Sequence, residues 1–383
     1  MYNAYTSEID DTDAAVNDLT AQLKDKPLLK DSVGILTCYY EFVETGVVEA
    51  VCKALPFDVI GCVVFGGAVN AHGSMDQLSL TVLTADDVTF ATAFSDEITA
   101  DNVAAPIEKT YAEAQSKLGG DPALTIVLGP VMGDVSGASM LNILTKISGG
   151  VPVFGTLSND TSMTYKDSYV FRNGEYHLHK MALLLVKGNI QPRFYTTAVS
   201  RKNVQNQEAL VTASDGYRVK KINNMPVLSY FESIGVKVSG VAAVTMLPFL
   251  VDYGDGTEPA AYSMYSVTAE GALCGGVIPV GSSLAFAEID YFGVMETAET
   301  AVKMALEDVN KNGANGIIAI PCFTRALVIS PNAEDEINKS LELIGDSVPF
   351  SLLYSGGEIC PVHNKQNETI NRFHNLTYTM MVF

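Results

Sequence analysis

A chain of 383 residues with 48% hydrophobic and 18% charged side chains has enough apolar material for a large packed interior and too little charge for a disordered polymer. Its 44 acidic against 24 basic residues give a formal net charge of -20, which repels phosphate backbones and anionic lipid; neither nucleic acid nor a membrane surface is expected as a partner. No run approaches the ~18 apolar residues of a membrane span, and Met1 to Leu23 lacks the basic-then-apolar layout of a secretory leader, so a cytoplasmic location is expected.

Read in chain order, the elements fall into a unit, β-α-β-α-β-β, that recurs three times. In the first copy a short strand precedes a helix beginning near Asp11 to Asp13, with Val16, Leu19 and Leu23 at helical spacing. Val33 to Cys38 reads as a buried strand, Gly46 to Leu55 as a helix stopped by Pro56, and Phe57 to Phe65 as a strand entering Gly66-Gly67 before strand Gln77 to Thr84. The second copy runs through strand Val88 to Phe94, helix Val103 to Leu118 ended by Gly119-Gly120, strand Ala123 to Leu128, helix Gly137 to Ile147 and strand Val151 to Gly155. It closes with a hairpin, Tyr169 to Phe171 and Tyr176 to Val186, turned by Asn173-Gly174.

Residues 189–282 do not fit the unit and read as a β-rich insertion with one short helix near Val227 to Ile234. The third copy is expected from strand Ser283 to Ile289, through helix Val294 to Asn312, strand Gly316 to Ile320, helix Ala333 to Ile344 and strand Val348 to Tyr354, to a last strand His374 to Phe383. Leu55-Pro56-Phe57, Val151-Pro152-Val153 and Val348-Pro349-Phe350 take one place in the unit. Strands alternating with helices and closing in antiparallel strands imply an α/β fold of mixed α+β sheets covered by helices. At about 100–200 residues per domain the length suggests two or three; we divide the chain into 1–225 and 226–383.

Six cysteines, at 38, 52, 62, 274, 322 and 360, form no CxxC pair and no zinc-ligand spacing, so reduced thiols and a metal-free protein are expected. The glycine pairs at 66–67, 149–150 and 275–276 lack a phosphate-loop lysine and the dinucleotide spacing, and read as turns.

Three C-terminal segments then carry a resemblance. Pro321-Cys322-Phe323-Thr324-Arg325, Tyr354-Ser355-Gly356-Gly357-Glu358-Ile359-Cys360-Pro361 and His374-Asn375-Leu376-Thr377 resemble, in order, the Cys-x-x-Arg, glycine-Glu-Ile-x-Pro and His-Asn-x-Thr motifs of the FIST family. Val59 to Gly67 and Val211 to Tyr230 are similar to its N-terminal and central segments. The resemblance implies a sensory input module that binds a small ligand such as an amino acid, does no chemistry on it, needs no cofactor and acts on a separate signalling protein.

Cys322, Arg325, Tyr354, Glu358, His374 and Asn375 fall at strand ends or turns, where loop residues converge on a pocket, and are the candidate ligand-binding residues. Arg325 suits a carboxylate, Glu358 an ammonium, and His374 with Asn375 directed hydrogen bonds. The competing reading of Arg325 and Glu358 is a structural salt bridge. Two other chemistries stand beside the sensor: a thiol nucleophile, Cys322, with His374 as base and Asn375 orienting it, and a haem-binding nitric-oxide sensor with His72, His177, His179, His363 or His374 as axial ligand.

Overall fold

The computed structural model describes residues 1–159, 164–237 and 247–383; part of the insertion, 238–246, lies outside them. The first unit is β1 (Tyr2–Thr6), α1 (Thr12–Leu23), β2 (Asp31–Cys38), α2 (Glu41–Glu44), α3 (Val47–Ala54), β3 (Asp58–Val63), a hairpin β4 (Gly67–Val69) and β5 (His72–Ser74), and β6 (Leu78–Ala85). Helix α1 starts where the Asp11 carboxylate accepts the Ala14 N–H, which satisfies one of the free donors of a helix N-terminus. The second unit repeats the order with β7 (Thr89–Phe94), α4 (Ala104–Leu118), β8 (Leu124–Gly129), α5 (Gly137–Ile147), β9 (Val153–Leu157), hairpin β10 (Val170–Arg172) and β11 (Glu175–His177), and β12 (Ala182–Lys187).

The third unit opens with β13 (Arg193–Thr197). The insertion follows: β14 (Val204–Ser214), β15 (Arg218–Ile222), β16 (Met225–Pro226), α6 (Val227–Ser233), β17 (Phe249–Asp252), β18 (Ala260–Tyr262), β19 (Met264–Thr268), β20 (Gly271–Cys274) and β21 (Ser283–Ala287). The unit resumes with α7 (Tyr291–Asn312), β22 (Ile317–Pro321), α8 (Phe323–Ile329), α9 (Glu334–Ile344), β23 (Phe350–Leu353), hairpin β24 (Glu358–His363) and β25 (Thr369–His374), and β26 (Tyr378–Val382).

Two expectations are corrected here. Ser283 to Ile289 is not the first strand of the third unit: β21 pairs with β14 and β17 of the insertion, and β13 pairs with β26 instead. Both segments are five-residue strands, and which sheet takes them is decided by pairing far away in sequence. Nor does His374 begin the last strand; it ends β25, and the chain turns through Leu376, whose φ is 62°, before β26.

Each unit's sheet contains its own first, closing and two parallel strands, then receives a hairpin from another unit. The orders are β1-β6-β2-β3-β10-β11, β7-β12-β8-β9-β24-β25 and β13-β26-β22-β23-β4-β5. The exchange is cyclic: the second unit's hairpin completes the first sheet, the third's the second, and the first's the third. Three equivalent backbone bonds repeat at the crossing points, Val63 N–H to Tyr169 O at 2.8 Å, Leu157 N–H to Gly357 O at 2.9 Å and Tyr354 N–H to Gly66 O at 3.2 Å. They set Gly67, Val170 and Glu358 as counterparts, one residue further along.

The inner faces of the three sheets meet in one apolar core that includes Ile60, Cys62, Phe154, Leu184, Ile318, Leu353 and Met381. Outside, α1 and α3 cover the first sheet, α4 and α5 the second, and α7 and α9 the third, each over its own buried cluster. The insertion forms a fourth sheet, β18-β17-β21-β14-β15-β20-β19, with β16 on β15.

Candidate ligand site

The carboxyl ends of β22 and β23 are where parallel strands of an open sheet deliver loops that can hold a ligand. Cys322 follows β22 directly, bridges to Ser355 beyond β23, and its N–H donates to Thr377 O at 2.9 Å. Glu358, the first residue of β24, pairs across the sheet edge with Thr156 on one side and His374 on the other. Cys322, Ser355, Glu358, Thr377, Thr156, His374 and Asn375 are all buried.

Glu358 is a fully buried carboxyl with hydroxyl neighbours and, among the described residues, no cation as partner. Its Oε2 accepts from Thr377 Oγ1 at 2.9 Å and Thr377 N at 3.3 Å, and the Cys322 thiol and Ser355 hydroxyl lie against it. Ser355 Oγ in turn accepts from Thr156 Oγ1 at 2.7 Å and Gly357 N at 2.8 Å. Burial, outweighing these hydrogen bonds, pushes the carboxyl from its ordinary 4.5 up to about 8. At neutral pH it is mostly protonated.

His374 is drawn the other way, down to about 4, because burial disfavours the imidazolium. Its Nε2 lies 3.0 Å from Cys360 O. A carbonyl only accepts, so the proton of the neutral ring is on Nε2 and Nδ1 presents a lone pair.

The insertion closes the other side. A Cβ built on Gly275 would sit 1.8 Å from Asn375 Oδ1 and 2.8 Å from the Tyr265 hydroxyl, so only glycine lets these two groups meet there. Tyr265, on β19, is 46% exposed as a residue, but its hydroxyl end turns inward, where burial, Cys322, Tyr165 and Glu358 raise its pKa. Tyr262 fixes the insertion to the strand pair by donating to Phe373 O at 2.9 Å.

Four buried polar atoms here have no hydrogen-bond partner: Glu358 Oε1, His374 Nδ1, Asn375 Oδ1 and Asn159 Nδ2. The Asn159 Cβ lies 3.3 Å from where a Cβ on Gly356, two residues before Glu358, would stand. Leaving a buried polar group unpaired costs about 1–3 kcal/mol, so a concentration of such groups in one place calls for an explanation.

Arg325 and Tyr354 belong to a different cluster. Arg325 is buried on α8 and its guanidinium is saturated: Nε and Nη2 donate to Glu336 Oε1 at 2.9 and 2.6 Å, Nη2 to Val294 O and Thr297 Oγ1, and Nη1 to Ala198 O and Leu376 O. Tyr354 donates to the other oxygen, Glu336 Oε2, at 2.9 Å. The expected opposition of Arg325 and Glu358 across a ligand is therefore corrected: the ion-pair partner is Glu336, on α9. Glu336 belongs to no motif, but it shares with Ile337, Ser340 and Ile344 the buried face of an amphipathic helix. A glutamate on that face was the readable signal.

Cys322 does not form an activated pair with His374. Burial and then Glu358 raise its thiol, and among the described residues no hydrogen bond joins it to the His374 ring. All six cysteines are free and buried. Among the described residues no group of His, Cys, Asp and Glu is arranged to hold a metal ion. A surface cavity of about 390 Å³ lined by Leu28, Leu29, Asp31, Phe57, Asp58 and Phe90 lies at the opposite, amino ends of β2 and β3. Its carboxylate Asp58 is already bound by Arg172, Asn173 and Thr92.

The architecture is a module of three interlocked units. Residues 32–225 match the FIST N domain and residues 227–361 the FIST C domain. The chain belongs to the FIST family, whose domains are associated with sensory signal transduction. No curated protein matches it. Among solved structures it is similar to a cyanuric acid hydrolase from A. caulinodans, at 7% identity and a TM-score of 0.36 over 99% of this chain and 97% of that one, too distant to inform the chemistry. No described helix is long and apolar enough to cross a membrane.

Proposed function

We propose that this FIST protein is a small-molecule receptor that binds its ligand between the β24–β25 pair and the insertion sheet, leaves it chemically unchanged, and passes the bound state to a separate signalling protein. The observation that carries the reading is the set of four unpaired buried polar atoms on Glu358, His374, Asn375 and Asn159. A ligand that met all four would recover most of their desolvation cost on binding, a sound basis for affinity in a small site. The insertion gives a route for the signal: Tyr265 and Gly275 touch the site from one sheet while Tyr262 joins that sheet to β25.

Binding without turnover is supported by the resting state of the nucleophile. A buried thiol whose pKa is raised by its burial and by Glu358, and which makes no hydrogen bond to His374 among the described residues, is poorly suited to attack. A small-molecule library screened by thermal shift on the wild type and on Asn375→Leu tests the reading. Compounds should raise the wild-type melting point and lose that effect in the variant; a library that moves neither, with both proteins folded, counts against it.

A further inference from the structure

Resting on that receptor reading, we propose that the recognised head of the ligand is a primary ammonium, seated by Glu358 Oε1, His374 Nδ1 and Asn375 Oδ1, and that the ligand carries no carboxylate beside it. Two of the four unpaired atoms are acceptors as they stand, the His374 Nδ1 lone pair, which follows from the Nε2 contact with Cys360 O, and the Asn375 carbonyl oxygen; Glu358 Oε1, the oxygen that Thr377 does not use, becomes the third once its proton leaves. Glu358 and His374 are cross-strand partners, and Asn375 Oδ1 comes close to the Tyr265 hydroxyl, on which Glu358 also acts. An ammonium has three donors and no acceptor, which answers this set in number and kind. Asn159 Nδ2 is left for a hydroxyl or carbonyl elsewhere on the ligand.

A carboxylate next to that ammonium would find no counter-charge. The two arginines on elements that adjoin the site, Arg325 on α8 and Arg372 on β25, are both already paired. Glu336 holds the first at 2.6 Å, and Asp255 holds the second at 2.6 Å. The net charge of -20 also draws cations and repels anions over the whole surface.

Binding a cation beside a protonated carboxyl has a balanced consequence. The Glu358 O–H bond breaks, its proton leaves to solvent, and the carboxylate pairs with the ammonium. The other titratable groups facing Glu358 are the thiols of Cys322 and Cys360, the phenols of Tyr265 and, beyond it, Tyr165, and His374. Burial raises the Cys322, Cys360 and Tyr265 groups and keeps His374 neutral, so Glu358 is the proton source.

Calorimetric titration with ethylamine and isobutylamine against alanine and valine, the same side chains with a carboxylate added, tests the inference, with acetamide as a neutral donor. The amines should bind at least tenfold tighter than their amino-acid counterparts. Their affinity should climb roughly tenfold per pH unit up to about 8 and then level, with up to one proton released. Glu358→Gln should lose amine binding while still melting cooperatively. Amino acids binding as tightly as the amines, or acetamide binding with pH-independent affinity while the amines do not, would overturn the ammonium assignment and leave the receptor reading intact. So would a library hit that Asn375→Leu abolishes while none of these probes binds. If nothing in the library or among the probes binds, both fail.

Discussion

Glu358 is the residue on which most of the chemistry turns, and burial governs its titration. In the unfolded chain it ionises near 4.5, in the folded protein near 8. Between these values the native state keeps a proton that the unfolded state has lost. The group therefore favours folding below about 4.5, loses that contribution as pH rises to about 8, and is level above it. Glu358→Gln cannot ionise and escapes the loss. The melting point of this variant relative to wild type should rise steadily from pH 5 to 8, measured without ligand; a constant difference would mean that Glu358 is charged in the native state.

How far residues could be read from sequence depended on whether their role was local. Glu358, His374 and Asn375 lie in motifs, and the structure brings them together beside Cys322. Arg325 and Tyr354 lie in the same motifs but serve the ion pair with Glu336, because an arginine's partner is set by packing and not by spacing. Tyr265 comes from the insertion sheet, and Thr156 and Asn159 from the second unit, and nothing in their neighbourhood along the chain marks them. Comparison of the units gives a further signal. The counterparts of Glu358 are Val170 and Gly67, and those of Ser355 are Ser158 and Val64, so the carboxylate is where the threefold repeat breaks.

At the level of elements, α8 and α9 are tied by the Arg325–Glu336 pair inside a shell that also includes α7 and the turn at Leu376. Removing one partner of a buried pair leaves an unpaired charge, and Arg325→Ala should cost about 3–5 kcal/mol. Joint replacement by Arg325→Met and Glu336→Leu should recover most of it, as chemical denaturation would show. If the single variant were nearly neutral, the pair would not be the clamp described.

The exchanged hairpins make a second element-scale case. Phe171 on β10 lies opposite Gly61 of another unit, and a Cβ there would sit 1.9 Å from its ring and 2.2 Å from Leu36 O. Gly61→Ala should be strongly destabilising although the position is an ordinary strand residue, and Phe171→Ala should cost about 3–5 kcal/mol through the cavity it leaves. Helix boundaries were close to their sequence signals, since caps and apolar periodicity are local; the hairpin exchange was hidden, since β10 and β11 look the same whichever sheet takes them.

For the whole molecule, cyclic exchange means that no unit's sheet is complete without another's hairpin. Cutting after residue 225 removes β24 and β25 from the second sheet and leaves β4 and β5 of the first unit without β23. The intact chain should therefore melt in one calorimetric transition with equal van't Hoff and calorimetric enthalpies, and residues 1–225 alone should not reach a native fold. Two separated transitions would contradict the interlock.

The receptor claim is most directly tested by the electron density of a crystal of the ligand-saturated protein around Glu358, His374 and Asn375. The account predicts one unmodified small molecule whose donors lie within about 3 Å of Glu358 Oε1, His374 Nδ1 and Asn375 Oδ1. A ligand bound elsewhere while these three atoms hold only water, or a compound covalently joined to Cys322, would contradict it.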